Sequence, residues 1–132
     1  MVIKVSNTNQ PNWTEVKVNA NLPENLHKLQ EIAYNLWWVW NSDAKNLFRY
    51  IDNDAWHKAQ SNPIVLLNII SYDRMLELSK DKKFMKQLDA IYAEFRAYMD
   101  EPKDANKPSV AYYSMEYGLT HVLKIYSGGL GV

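Results

Sequence analysis

The stretch Ser127-Gly128-Gly129-Leu130-Gly131 holds the residue types best suited to gripping an anion or a sugar oxygen. Glycine tolerates positive φ and has no Cβ, so successive backbone N–H groups turn toward a ligand and approach it closely. Such loops gain half their attraction from a following helix, whose N-terminal amides and dipole favour negative charge. The run fits neither the dinucleotide fingerprint nor the P-loop, whose lysine it lacks. On residue types alone, a ligand loop and a plain turn stand equally open. All four glycines of the chain fall from Gly118 onward, which concentrates this chemistry at one end.

Other constellations offer less. His27, His57 and His121 are far apart and show no paired ligand spacing, so they read as surface or hydrogen-bonding residues and no metal is expected. No Gly-x-Ser-x-Gly elbow exists, and Ser127 precedes its glycines instead of standing between them. The absence of cysteine removes disulfides, thiolate metal sites and cysteine nucleophiles. Aromatic residues make up 13 % of the chain, with five Trp and nine Tyr. Rings of that size mostly fill cores, and the sharper alternative is a sugar-binding surface in which Trp38 or Trp56 stacks on glucan rings.

These residues must be carried by a framework, and the periodicity describes one. Residues 1–20 form a polar segment followed by a short candidate strand, with Val16, Val18 and Ala20 at period two. From Leu22 the spacing changes: Leu22, Leu26, Leu29, Ala33, Leu36 and Trp40 recur every three or four residues and predict one helix, with Pro23 in its first turn. The end of that helix, "YNLWWVW", is apolar nearly all round. Trp37 and Trp40 continue the core stripe, while Trp38 falls one turn after Tyr34 on another face, so two faces need cover.

A second helix follows from an Asn41 or Ser42 cap and is interrupted at Asp52–Asp54; a short turn then carries Trp56 and His57. Asn62-Pro63 is a cap and first-turn pair for "PIVLLNII", and Ser71 and Asp81 are further caps. The last helix runs from Lys82 to Met99 with Phe84, Leu88, Ile91, Phe95 and Tyr98 inward, and Lys82, Lys83 and Lys86 on a solvated face. The expected fold is therefore mainly α, a small orthogonal domain of about five or six helices over residues 21–100. "DEPKDANKP" has linker composition over 101–108, and "SVAYYSM" opens a second unit, residues 109–132, with one strand.

Fifteen basic residues balance fifteen acidic ones, so no net field draws nucleic acid or anionic lipid, and neither is expected as a partner. The longest apolar run, Leu36 to Trp40, falls far short of the roughly 20 residues that span a bilayer. "MVIKVSNTNQ" lacks the apolar run of a secretion signal, which leaves the cytoplasm as the expected setting.

Two blocks carry a family resemblance. "YYSMEYGL", Tyr112 to Leu119, followed by "IYSGGLGV", resembles the start of the catalytic domain of shorter bacterial and archaeal α-glucan (glycogen or maltodextrin) phosphorylases. The preceding "NLPENLHKLQEIAYNLWWVWNSDAKNLFRYIDNDAWHKAQSNP" resembles the helical domain ahead of it. The resemblance implies an N-terminal fragment that stops where the active-site loop begins, with its last strand opening a truncated Rossmann-like lobe. It implies a full-length enzyme that uses pyridoxal phosphate and inorganic phosphate to release glucose 1-phosphate from α-1,4-glucans.

In that family the loop amides matching Gly129 and Leu130, within Gly128–Gly131, hold phosphate and sugar oxygens; the lysine that binds pyridoxal phosphate lies downstream. The fragment alone is expected to be inactive. The helical domain's role stays open between a structural cap on the rest of the catalytic domain, a glucan-binding module and a regulatory or homo-oligomer surface. Longer-type members usually have Asn at the position of Ser127 and Arg at that of Val132. Glycogen synthases share a related Gly-Gly-Leu loop but follow a Lys-Thr pair that is absent here.

Overall fold

The computed structural model describes residues 22–102, 106, 108, 110–113 and 118–123. The expected N-terminal strand at Val16–Ala20 and the loop Gly128–Gly131 lie outside the described residues.

Six α-helices occur among the described residues: α1 His27–Ala33, α2 Ser42–Ile51, α3 Asn53–Lys58, α4 Pro63–Ile69, α5 Tyr72–Lys80 and α6 Lys82–Met99. Two 3₁₀ turns, Glu24–Leu26 and Leu36–Val39, flank α1. The mainly α expectation holds, and no strand occurs among the described residues. Val110, Tyr112 and Tyr113, where the sequence suggests a strand, are exposed and in no regular element.

Short polar side chains place nearly every boundary, each by accepting a backbone N–H that the first helical turn leaves without a partner. Asn41 accepts from Ala44 at 2.8 Å to start α2, and Asp52 accepts from Ala55 at 2.8 Å to start α3. Asn62 accepts from Ile64 and Val65 ahead of α4, whose Pro63 occupies the first turn. Ser71 accepts from Arg74, and Asp81 from Lys83 and Phe84.

The single helix expected over Leu22–Trp40 is broken in two. Asn35 takes an extended backbone, φ −118° and ψ 130°, and its Oδ1 accepts from the Trp37 backbone N–H at 2.9 Å. That local bond competes with helix continuation, ends α1 and starts the second 3₁₀ turn in a new phase. The core stripe shifts accordingly. Trp38 is buried at 4 % exposure, while Trp40, expected in the core, is 69 % exposed and Leu36 is also exposed. Trp37 is partly buried and meets Phe95 edge to face with ring centroids 5.5 Å apart. Pro23 does not sit in an α-helical first turn but precedes the first 3₁₀ turn.

The longest helix, α6, is the strut of the domain. It packs on α1, α2 and α5, and buries Phe84, Leu88, Ile91 and Phe95 at the spacing of three and four that one helical face presents. Tyr98, expected on the same stripe, is exposed at 63 % because α6 reaches beyond the helices that cover its earlier turns. Lys82, Lys83 and Lys86 face solvent. Outside the core, Lys28 of α1 pairs with Asp89 of α6 at 2.6 Å, and the Tyr92 hydroxyl donates to Glu31 at 2.7 Å.

Asp81 links this strut to pH. Its carboxyl is held below the ordinary carboxylate range chiefly by the Phe84 backbone N–H, against some desolvation, with help from the Lys83 N–H, the Tyr50 hydroxyl and the Lys83 charge. A carboxylate with a depressed folded pKa adds stability that is present above its unfolded pKa and lost as pH falls through the folded one. The melting temperature is therefore expected to fall on acidification below about pH 4, and to fall less in Asp81→Asn, whose amide caps without titrating. Identical acid profiles for the two proteins would remove Asp81 from the account.

Candidate functional site

The sequence-derived ring candidates lie at the centre of the core. Trp56 is 2 % exposed, stacks parallel to Phe48 with centroids 6.1 Å apart, and meets Trp38 edge to face at 6.4 Å. Both rings are thus buried inside an aromatic cluster, Trp38 at 4 % and Trp56 at 2 % exposure. The break at Asn35 explains Trp38. Trp56 is buried because residues 53–58 form α3 instead of an open turn, with the ring on its inner side.

Among the described residues the core contains no polar or charged side chain, and no buried side-chain nitrogen or oxygen lacks a partner. A general acid, base or nucleophile buried for catalysis is thus missing from the helical interior. The two clear pKa displacements concern surface groups: Asp81, and Tyr92, whose hydroxyl is pushed up mainly by its hydrogen bond to Glu31. No group of three or more His, Cys, Asp or Glu suited to a metal occurs among the described residues. No helix among them is long and apolar enough to cross a membrane.

The most constructed surface feature is the corner between α3 and α4. Gln60 and Ser61 both adopt left-handed backbone, φ 52° and 57°, which non-glycine residues rarely do. The Ser61 N–H bonds to the Trp56 carbonyl at 3.0 Å and the Asn62 N–H to that of Ala59 at 3.0 Å, closing α3. That geometry leaves the Gln60 carbonyl outward, where the His121 ring nitrogen donates to it.

Beside this contact Val122 packs against the core, and the Leu123 N–H bonds to the Thr120 carbonyl at 3.1 Å. Lys58, Ala59, Gln60, Asn62, Val65, His121 and Val122 line a cleft of about 200 Å³. A second cleft of about 450 Å³ shares Lys58 and is bounded by Asp52, Asp54, Ile69, Ile70 and Arg74. Sequence reading missed this corner, since the partners His121 and Gln60 are 61 residues apart and nothing local marks them.

The helices and the returning segment at 118–123 fall within one family. The chain belongs to the family described as "Protein of unknown function (DUF3417)", whose model matches residues 22–123. Among curated proteins it is similar to a maltodextrin phosphorylase of Thermococcus litoralis, 40 % identical over 123 residues, covering 88 % of this chain and 15 % of that protein. A glycogen phosphorylase of Aquifex aeolicus is 43 % identical over 107 residues, covering 78 % of this chain and 15 % of the relative. One from Mycobacterium tuberculosis is 35 % identical over 127 residues, with 87 % and 15 % covered. The chain thus spans about 15 % of the length of the curated relatives it matches. No solved structure matches it.

Proposed function

We propose that the chain serves as the helical cap of an α-glucan phosphorylase, an enzyme that passes the terminal glucosyl unit of an α-1,4-glucan to inorganic phosphate. Similarity to relatives named as glycogen and maltodextrin phosphorylases supports the enzyme class. The cap role rests on one observation: the helical core is wholly apolar among the described residues, so the domain has packing to offer and no buried chemistry. In this reading residues 21–100 are the cap, 101–108 the linker and 109–132 the start of the catalytic domain in the cytoplasmic enzyme.

The amides of Gly128, Gly129, Leu130 and Gly131 would hold phosphate and sugar oxygens, since oriented N–H groups stabilise negative charge where it develops. Pyridoxal phosphate, implied for the full-length enzyme by its relatives, does not fit the described residues. The larger cleft at this corner sets Lys58 and Arg74 beside the carboxylates of Asp52 and Asp54, so it offers no net positive charge to a bound phosphate.

A second reading, a glucan-binding or dimer-forming module, draws on the exposed rings of Trp40 and Tyr98. Both lie where the second 3₁₀ turn meets the end of α6, through the Asn41 to Glu94 contact at 3.5 Å and the Asn35 amide to Met99 Sδ at 3.4 Å.

A polypeptide extended to the length of the relatives is expected to form glucose 1-phosphate from maltodextrin and phosphate in a coupled assay. The 132-residue chain is expected to form none. A folded, cofactor-loaded, extended protein without phosphorolysis would overturn the enzyme assignment. Saturable calorimetric binding of maltodextrin by the chain alone would favour the second reading over the cap.

A further inference from the structure

The break at Asn35 builds an apolar face around the C-terminal end of α6. Asn35 and Asn41 each cap a turn with the side-chain oxygen and grip α6 with the side-chain amide. Asn35 Nδ2 donates to Met99 Sδ at 3.4 Å, and Asn41 Nδ2 donates to Glu94 at 3.5 Å. The first bond sets Leu36, the next residue in sequence, beside Met99. The second sets Trp40 beside Glu94, whose neighbour one turn on is Tyr98. Leu36, Trp40, Tyr98 and Met99 therefore surround one helix end, at 40 %, 69 %, 63 % and 46 % exposure.

We propose that this face docks the catalytic domain of the same polypeptide, through an apolar surface whose backbone carbonyls take the Trp40 indole N–H and the Tyr98 hydroxyl. Area favours that occupant. With both rings about two thirds open, the four residues leave roughly 400–500 Å² of apolar surface in water. Patches of that size on a single domain are often functional. A stable dimer of separate chains buries about 800 Å² on each partner, more than this face offers. Domains of one chain hold together through about 300–750 Å² a side, because a short linker keeps them at an effective concentration in the millimolar range.

Position favours it as well. Asp100 closes α6 directly after Met99, so the segment 101–108 leaves the helices at the edge of the face. Those eight residues extend no more than about 28 Å. The relatives carry a partner to be seated, since this chain covers 15 % of the length of each. Docking at this face rests on the cap reading and names the side of the cap that meets the enzyme. Cover is read without turnover, so an enzyme that phosphorolyses glucan while its catalytic domain sits elsewhere sinks this assignment alone.

The 132-residue chain has no cysteine, so Trp40→Cys and Tyr98→Cys each place one thiol on the face. Lys83→Cys, about 22 Å away at the other end of α6, is the reference. Alkylation by iodoacetamide is followed at each peptide by mass spectrometry, in the 132-residue chain and in a polypeptide extended to the length of the relatives. Both face thiols are expected to react about tenfold more slowly in the extended protein, as sites that react only on local opening do, while the reference keeps its rate. Adding Trp40→Asp, with circular dichroism unchanged, should return the Tyr98→Cys thiol to its rate in the shorter chain.

Equal face-thiol rates in the two lengths would overturn the proposal, as would slowing of the reference by the same factor or protection that survives Trp40→Asp. Protection that grows with protein concentration would overturn it by assigning the face to a second copy. Protection that appears only with added maltodextrin would overturn it by assigning the rings to glucan.

Discussion

Trp56→Ala is expected to destabilise the domain by about 3–5 kcal/mol, the range for removing a large ring from a core that cannot close around the gap. Trp56 is 2 % exposed and touches two other rings, Phe48 in parallel and Trp38 edge to face, so its loss leaves both without a partner. Edge and offset contacts of this kind contribute about 0.5–1.5 kcal/mol beyond area burial. Trp38→Ala belongs in the same range, for the same reason. Trp40→Ala is the contrast: at 69 % exposure it should change stability by no more than about 0.5 kcal/mol. Urea unfolding of the three variants checks this. A Trp40 variant as damaged as the Trp56 variant would mean that the chain continues through Asn35 as one helix, in the phase that buries Trp40.

The second large effect concerns the root of the strut. Phe84 is 1 % exposed in the first turns of α6 and stacks on Tyr50 of α2 with centroids 5.9 Å apart. Truncation to alanine should cost about 3–5 kcal/mol. The loss should be felt across the domain, because α6 is the element that α1, α2 and α5 share. Tyr50→Phe keeps the ring contact and removes only the exposed 3.4 Å hydrogen bond to Asp81, so it should be nearly neutral. Thermal unfolding that ranks Tyr50→Phe with Phe84→Ala would show that the hydroxyl, not ring packing, secures this end of α6.

Much of the helical framework is legible in the sequence. Asn41, Asn62, Ser71 and Asp81 each precede an apolar-periodic stretch, and a short polar side chain at that point has a specific bond to make, which the structure contains. The stripe Phe84, Leu88, Ile91 and Phe95 was legible because α6 is long enough for its phase to accumulate. Asn35 is the same chemistry as Asn41, yet it sits inside "YNLWWVW", where residues are apolar on every side and periodicity carries no phase. The break there was lost, and the assignments of Trp37, Trp38 and Trp40 shifted with it.

The candidate sites were less legible for a different reason. Ring type is a property of one residue, whereas exposure depends on what the rest of the chain brings to it. Trp56 is covered by Phe48 and Trp38, neither of them its neighbour in sequence. The corner at Gln60 gave no sign because two left-handed non-glycine residues lack the glycine or asparagine signature by which such turns are usually recognised.

The closure of α6 against α1 sets a schedule for the chain as it is made. Glu31 and Tyr92 are 61 residues apart, about 3–12 s of synthesis at roughly 5–20 residues per second. During that interval Leu29 and Ile32 of α1, and Leu47 and Phe48 of α2 once they are made, lack the helix that completes their cover. Until α6 has been translated, these apolar faces of the nascent helical domain stay open.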